Sequence, residues 1–251
     1  MDNIAYIGLS RQTTLQKQMD VIANNIANMD TAGFKVEELM TKVQPGGPAK
    51  DAEINGPAQF SMASGLARDF SEGELSETGR STDVAIDGPG FFKISTPQGE
   101  RYTRDGRFGL DAQGKLVNAN GHPVLDDSGG EITLDPSNGA PQISADGIIS
   151  QRSKQGSTST RVGKIGVVKF DTLSVLQKEG DNSYSNTSNA QPIPATEARL
   201  RQGMVESSNV KPIVEITNLI QVQRAYERIS NMVQQTNDLS QSSIDRLAKV
   251  A

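Results

Sequence analysis

The chain has 251 residues, a formal charge of −5, and neither cysteine nor tryptophan. Mild acidity without a basic run argues against a nucleic-acid partner, and the missing thiols exclude disulfide and thiolate chemistry. Hydrophobic residues make up only 35% of the chain, which favours an elongated molecule or one that buries part of its surface only in an assembly.

No stretch approaches ~18 apolar residues, so membrane insertion is not expected. Residues 1–10 lack a basic leader, a continuous apolar core and a small-residue cleavage site, so a cleaved secretory signal is not expected either. From about Ile4 to Asp30 there is no proline, and apolar side chains keep a heptad. Leu15 takes d, Met19 a, Ile22 d, Ile26 a and Met29 d. This predicts an amphipathic helix ~40 Å long, with Gly33 placed as its C-cap. Extended backwards, the seam meets Gln12, Gly8 and Ala5 and weakens. Asn24 and Asn28 fall on the face opposite the seam, and Val21 lies on the same side. That face is either solvated or packed against other subunits through side-chain amides.

Thr41 to Pro57 holds Pro45, Gly46, Gly47, Pro48, Gly56 and Pro57 and reads as a linker or irregular extended excursion. Then the period changes to that of strands. Asp83–Asp87 is a strand, Gly88-Pro89-Gly90 a turn, and Phe91–Ile94 a second strand. Short strand candidates follow at 102–103, 107–110, 115–117, 124–125, 131–134, 142–143 and 148–149. Between them lie turn dipeptides such as Asp105-Gly106 and Asn120-Gly121. Residues 151–160 and 181–191 are polar and read as loops. Ile165–Phe170 is the strongest late strand.

Ser208 and Asn209 give a capping signal, and Pro212 suits a first helical turn. The helix then runs to about Lys249 on Leu219, Val222, Tyr226, Ile229 and Val233. Continued in phase, the seam meets Thr236, Ser240 and Ser243 before Leu247 and Val250. The stripe drifts towards a 3.6 period, which suits a helix touching several neighbours better than a two-stranded coil. The elements therefore predict an α+β chain with segregated parts. Residues 1–35 and 208–251 form a coiled-coil-like pair of terminal helices. Residues 36–80 are a linker or extended segment, and 81–200 a mostly antiparallel β domain.

Tests for an enzyme fail. The one histidine, His122, sits in Asn-Gly-His-Pro, a turn composition. Gly109 to Lys115 has the spacing of a phosphate-binding loop, but Leu116 stands where a hydroxyl should hold magnesium, and a strand follows where a helix is required. Asp126-Asp127 with Gly129-Gly130 lacks the alternating oxygen ligands and distal glutamate of a calcium loop. No catalytic residue, cofactor, metal or small-molecule substrate is expected.

Ala23-Asn-Asn-Ile-Ala-Asn28 followed by Thr31-Ala-Gly-Phe-Lys35 resembles the N-terminal signature of the flagellar rod and hook axial protein family. Ala85-Ile-Asp-Gly-Pro-Gly-Phe-Phe92 resembles the family's first β motif, and Tyr102-Thr-Arg-Asp-Gly-Arg-Phe108 its second. Gly203-Met-Val-Glu-Ser-Ser-Asn-Val210 and Gln223-Arg-Ala-Tyr-Glu227 resemble its C-terminal region. The likeness covers nearly the whole chain in the family's order. Length and the opening residues are most similar to the proximal-rod members, with the distal-rod members next.

The resemblance implies a structural protein of the basal body that polymerises with itself and with other proximal and distal rod subunits. It implies export through the flagellar type III apparatus without signal cleavage, and a place in the periplasmic rod. It marks Asn25, beside the seam, as a further assembly residue, and Gly33, Phe34, Gly88, Gly90, Phe91 and Asn209 as motif turn residues. The terminal helices are expected to line the tube, to order largely on assembly, and to lose assembly on Ile26→Asp. The competing class is a β-domain enzyme or ligand-binding protein with helical oligomerisation arms.

Overall fold

The computed structural model describes residues 2–45, 59–153, 159–188 and 190–250. The chain divides into two units: Met1–Met29, Val36–Asp69 and Val210–Ala251 form one, here the helical unit, and Asp30–Lys35 with Phe70–Asn209 form the other, the β unit. Among the described residues no helix is long and apolar enough to cross a membrane.

The helical unit holds α1 (Asp2–Ala27), β1 (Glu37–Pro45), β2 (Gln59–Arg68) and α2 (Pro212–Val250). Proline begins α2, where its missing N–H would have no helical partner anyway. The predicted seam forms. Leu15, Ile22 and Val222 are buried together, with Met19, Ile26, Leu219, Ala225, Tyr226 and Ile229 packed against them.

Four details of this unit differ from the sequence reading. First, α1 ends at Ala27, where the Asn28 amide is shared between the carbonyls of Asn24 and Asn25. Met29 therefore lies past the helix and is exposed rather than on the seam. Second, the seam does not weaken at Gly8. Gly8 is buried, and a Cβ there would come within 2.5 Å of Val233 Cγ2, so glycine permits a close helix approach. Third, the segment expected as a linker contains an antiparallel ribbon. β1 pairs with β2 from Glu37↔Arg68 to Pro45↔Gln59, with a bulge between Met40 and Thr41. Fourth, Asn209 is not the cap of α2, because the carbonyl of Lys211 accepts from Val214 N and Glu215 N. Gly46, Gly47, Pro48, Gly56 and Pro57 lie outside the described residues, as do the side chains of Ser240, Ser243, Leu247 and Val250.

The β unit is built on a six-stranded antiparallel sheet. Its order is Leu176–Lys178, Ser183–Asn186, Gly99–Thr103, Phe91–Thr96, Val167–Lys169, Ile193–Pro194. Alternation along Phe91–Thr96 sends successive side chains to opposite faces. Phe92 and Ile94 join a large core with Val84, Ile86, Phe108 and Ile149. Phe91 joins a second core with Tyr102, Phe170 and Tyr184, closed by ring contacts such as Tyr102–Phe170 at 4.8 Å. Apolar cover on both faces explains why Phe91-Phe92 reads as a continuous run.

Two segments expected as loops supply strands. Ser159–Lys164 pairs with Ile148–Arg152, and Ser183–Asn186 joins the main sheet. The phosphate-loop spacing is a hairpin, Gly109–Leu110 against Leu116–Val117. Its turn is held by Asp111 Oδ1, which accepts from Gln113 N and Lys115 N. His122 N donates to Asn118 Oδ1, and Asp126 Oδ1 accepts from Ser128 N and Gly130 N. Both are turns stabilised by a side-chain amide or carboxylate.

Candidate assembly site

The helical unit is organised around Asn25, one of the few buried polar residues of α1. Its Nδ2 donates to the Glu37 carbonyl at 2.8 Å and to Glu215 Oε2 at 3.0 Å, and its Oδ1 accepts from Glu37 N at 3.0 Å. A carboxamide has two donors on one end and an acceptor on the other, and all three of these contacts use that arrangement. Glu37 in turn holds Arg68 Nε at 2.8 Å. One asparagine thus ties α1 to β1, β2 and the first turn of α2. Glu215 belongs there, since a carboxylate is favoured at a helix N-terminus.

The periodicity placed Asn25 beside the seam, and no sequence signal linked it to Glu215, 190 residues away. Asn24 is exposed, and Asn28 Nδ2 donates to the Asn24 carbonyl. Val21 lines a cavity of about 260 Å³ with Leu39, Glu215, Asn218 and Gln221, so it is not on a fully solvated face.

The same unit leaves large apolar side chains in water. Tyr6 and Leu9 of α1, Met40 and Leu66 of the ribbon, and Ile213, Val214, Ile216 and Ile220 of α2 are exposed, Ile213 by 82%. Met232 and Leu239 continue the series further along α2. Single exposed apolar residues are ordinary, but this density on one small unit marks an interaction surface.

The motif turn residues lie in the β unit, and Gly33, Gly88 and Phe91 meet Arg104. Arg104 Nε is 3.3 Å from Glu206 Oε2, its Nη1 donates to the Gly88 carbonyl, and its guanidinium lies over the Phe91 ring at 5.8 Å. Glu206 Oε1 accepts from Lys35 Nζ and Gly73 N. Gly33 N donates to the Glu206 carbonyl, and Asn209 N to the Phe34 carbonyl. Gly88 and Gly90 take φ of 110° and 152° in the turn beside this cluster. Residues 31–35, 85–92, 102–108 and 203–209, the motif segments that lie in the β unit, each contribute to this buried charge cluster or its immediate backbone contacts. Gly33 has φ of 67° but serves this cluster rather than a helix end. Lys35, Arg104 and Glu206 were not singled out in the sequence, since charge gives no hint of burial. Burial holds the Lys35 ammonium below the ordinary lysine range, opposed by the Glu206 carboxylate.

Helices from the two ends of the chain in one unit, a β insertion in the other and an uncovered apolar surface define a structural assembly subunit. Three family models match in order: "Flagella basal body rod protein" over residues 6–35, "Flagellar hook protein FlgE/F/G D1 domain" over 85–151, and "Flagellar basal body rod FlgEFG protein C-terminal" over 201–246. The chain is 50% identical over 250 residues to the flagellar basal-body rod protein FlgF of Caulobacter vibrioides, covering all of both chains. It is 36% identical to FlgF of Mesorhizobium japonicum, covering 98% of each. It is 33% identical to the rod protein FlgG of Bacillus subtilis, covering 96% of this chain and 97% of that one. The chain belongs to the flagellar basal-body rod protein family.

Proposed function

We propose that the chain is an axial structural subunit of the proximal rod, polymerising with itself and neighbouring rod proteins into a helical tube that transmits torque. The observation that carries this reading is the apolar surface left open on α1, α2 and the ribbon. A heterologous contact repeated with rotation and rise covers such a surface in an open filament. The 50% identity to the FlgF of Caulobacter vibrioides over the whole of both chains supports the proximal position, while the other FlgF and FlgG relatives, at 32–37%, do not separate the two. On this reading the terminal helices line the tube and order largely when neighbours cover them. The subunit has no catalytic role, passes through the flagellar type III apparatus, and reaches the periplasmic rod uncleaved.

Antibody against the β unit, applied to purified basal bodies, tests the position. Label on the rod segment nearest the inner membrane is expected. Label confined to the distal segment would overturn the proximal assignment, and basal bodies without label would overturn the rod reading. N-terminal sequencing of the protein from those basal bodies is expected to begin at Met1 or Asp2.

A further inference from the structure

Residues 30–35 follow α1 in sequence, yet they belong to the β unit. Their surroundings are those of a bound peptide. Ala32, Phe34 and Lys35 are buried, Lys35 completely. The Ala32 carbonyl accepts from Asn182 Nδ2 at 2.9 Å, and Gly33 N donates to the Glu206 carbonyl at 2.7 Å. Lys178 Nζ sits over the Phe34 ring at 3.9 Å. Lys35 Nζ donates to Glu206 Oε1 and to the Ser71 carbonyl. A Cβ on Gly33 would lie 2.5 Å from the Arg104 carbonyl carbon and the Asp105 nitrogen. Both the missing side chain and the positive φ are therefore required there.

We infer that the β unit carries a built peptide-binding slot whose ligand is the chain's own Thr31–Lys35 segment, filled in the free subunit before any assembly. The chemistry it reads is a turn opened by two small residues and closed by Phe34 N on the Thr31 carbonyl, a glycine with positive φ, an aromatic ring under an ammonium group, and a lysine that reaches a buried carboxylate. Without that lysine, Glu206 keeps Arg104 but loses its direct ammonium partner. The aromatic pocket would be left empty. The segment is thus an anchor fixed at the root of α1, independent of whether α1 itself is ordered. Only the contrast with the helices rests on the rod reading above.

The test uses the full chain carrying Phe34→Ala and Lys35→Met, with a synthetic peptide of residues 29–37 as probe. The β unit's Tm is expected to fall by roughly 10 °C and to recover by more than half on adding peptide. Calorimetry should show binding to the variant at least about tenfold tighter than to the wild-type chain, whose slot is occupied. A variant that melts with the wild type would overturn the proposal. So would a folded variant that binds the peptide no better than the wild type does. If the variant does not fold, hydrogen exchange on the wild-type monomer decides. The Gly33 amide is expected to be protected about 100-fold or more, together with the main sheet. Exchange at the rate of an exposed peptide would refute the slot. Protection of residues 15–29 as well would refute ordering on assembly while leaving the slot intact.

Discussion

The β unit closes its own cores, with thirteen buried apolar residues in one cluster and six in another, whereas the helical unit centres on Leu15, Ile22 and Val222. In the β unit's polar interior Lys35 and Glu206 pair directly, and Arg104 lies 3.3 Å from the second Glu206 oxygen. The helical unit has the Asn25 amide and the Glu37–Arg68 pair beside it, and leaves Leu9, Ile213 and Ile216 in water. The difference separates two tasks. On the proposed reading one unit is a self-packed fold and the other carries a surface for neighbours.

The sharpest break in this comparison is Ile22→Asp. It puts a carboxylate at the buried centre of the seam, at a cost of several kcal/mol, about 3 or more. Circular dichroism of the β unit should be unchanged while rod assembly and motility are lost. Motile cells would sink the seam as an assembly element. Next comes Asn25→Asp, which removes both Nδ2 donors and sets a second carboxylate against Glu215. A loss of about 3 kcal/mol is expected, read as failed assembly with an unchanged β-unit Tm.

The β unit has its own handle in Tyr102. Burial, with the nearby Glu100 charge adding to it, pushes the phenol above its ordinary value. The folded phenol then stays neutral where the unfolded one ionises, so stability is full below about pH 10 and falls as pH rises above it, by at most about 1.4 kcal/mol per pH unit. Tyr102→Phe should move the alkaline unfolding midpoint of the β unit upward. No movement would mean that another group drives alkaline unfolding.

Gly8→Ala is smaller. The added methyl meets Val233 Cγ2, and overpacking of about 1–3 kcal/mol is partly offset by about 1 kcal/mol of helix propensity. Combining it with Val233→Ala should restore assembly, and a double variant worse than Gly8→Ala alone would contradict direct contact. The smallest effect expected is that of Asn24→Leu. Asn24 is exposed in the subunit, so Tm should not change, and any assembly defect would place that face against a neighbour.

The sequence showed the seam because a heptad of Leu, Met and Ile is a local signal. It showed the strands around Phe91-Phe92 for the same reason. The ribbon was hidden because Gln59–Arg68 is built largely of Ser, Ala and Gly, and its pairing with Glu37–Pro45 spans a Pro- and Gly-rich stretch. Ser183–Asn186 has the composition of a loop, and only its place between Gly99–Thr103 and Leu176–Lys178 makes it a strand. Tertiary context commonly overrides strand propensity in this way. The roles of Asn25, Lys35 and Glu206 were invisible for a further reason. Each is defined by a partner distant in sequence, and nothing in a polar residue's identity reports that it is buried.

Hydrogen exchange on a verified dilute monomer, compared with assembled rods, tests the central claim most directly. The account predicts that residues 15–29 and 222–233 exchange freely in the monomer and become protected in rods, while the sheet strands Phe91–Thr96 and Gly99–Thr103 are protected in both. Strong protection of both helix segments in the monomer would contradict it.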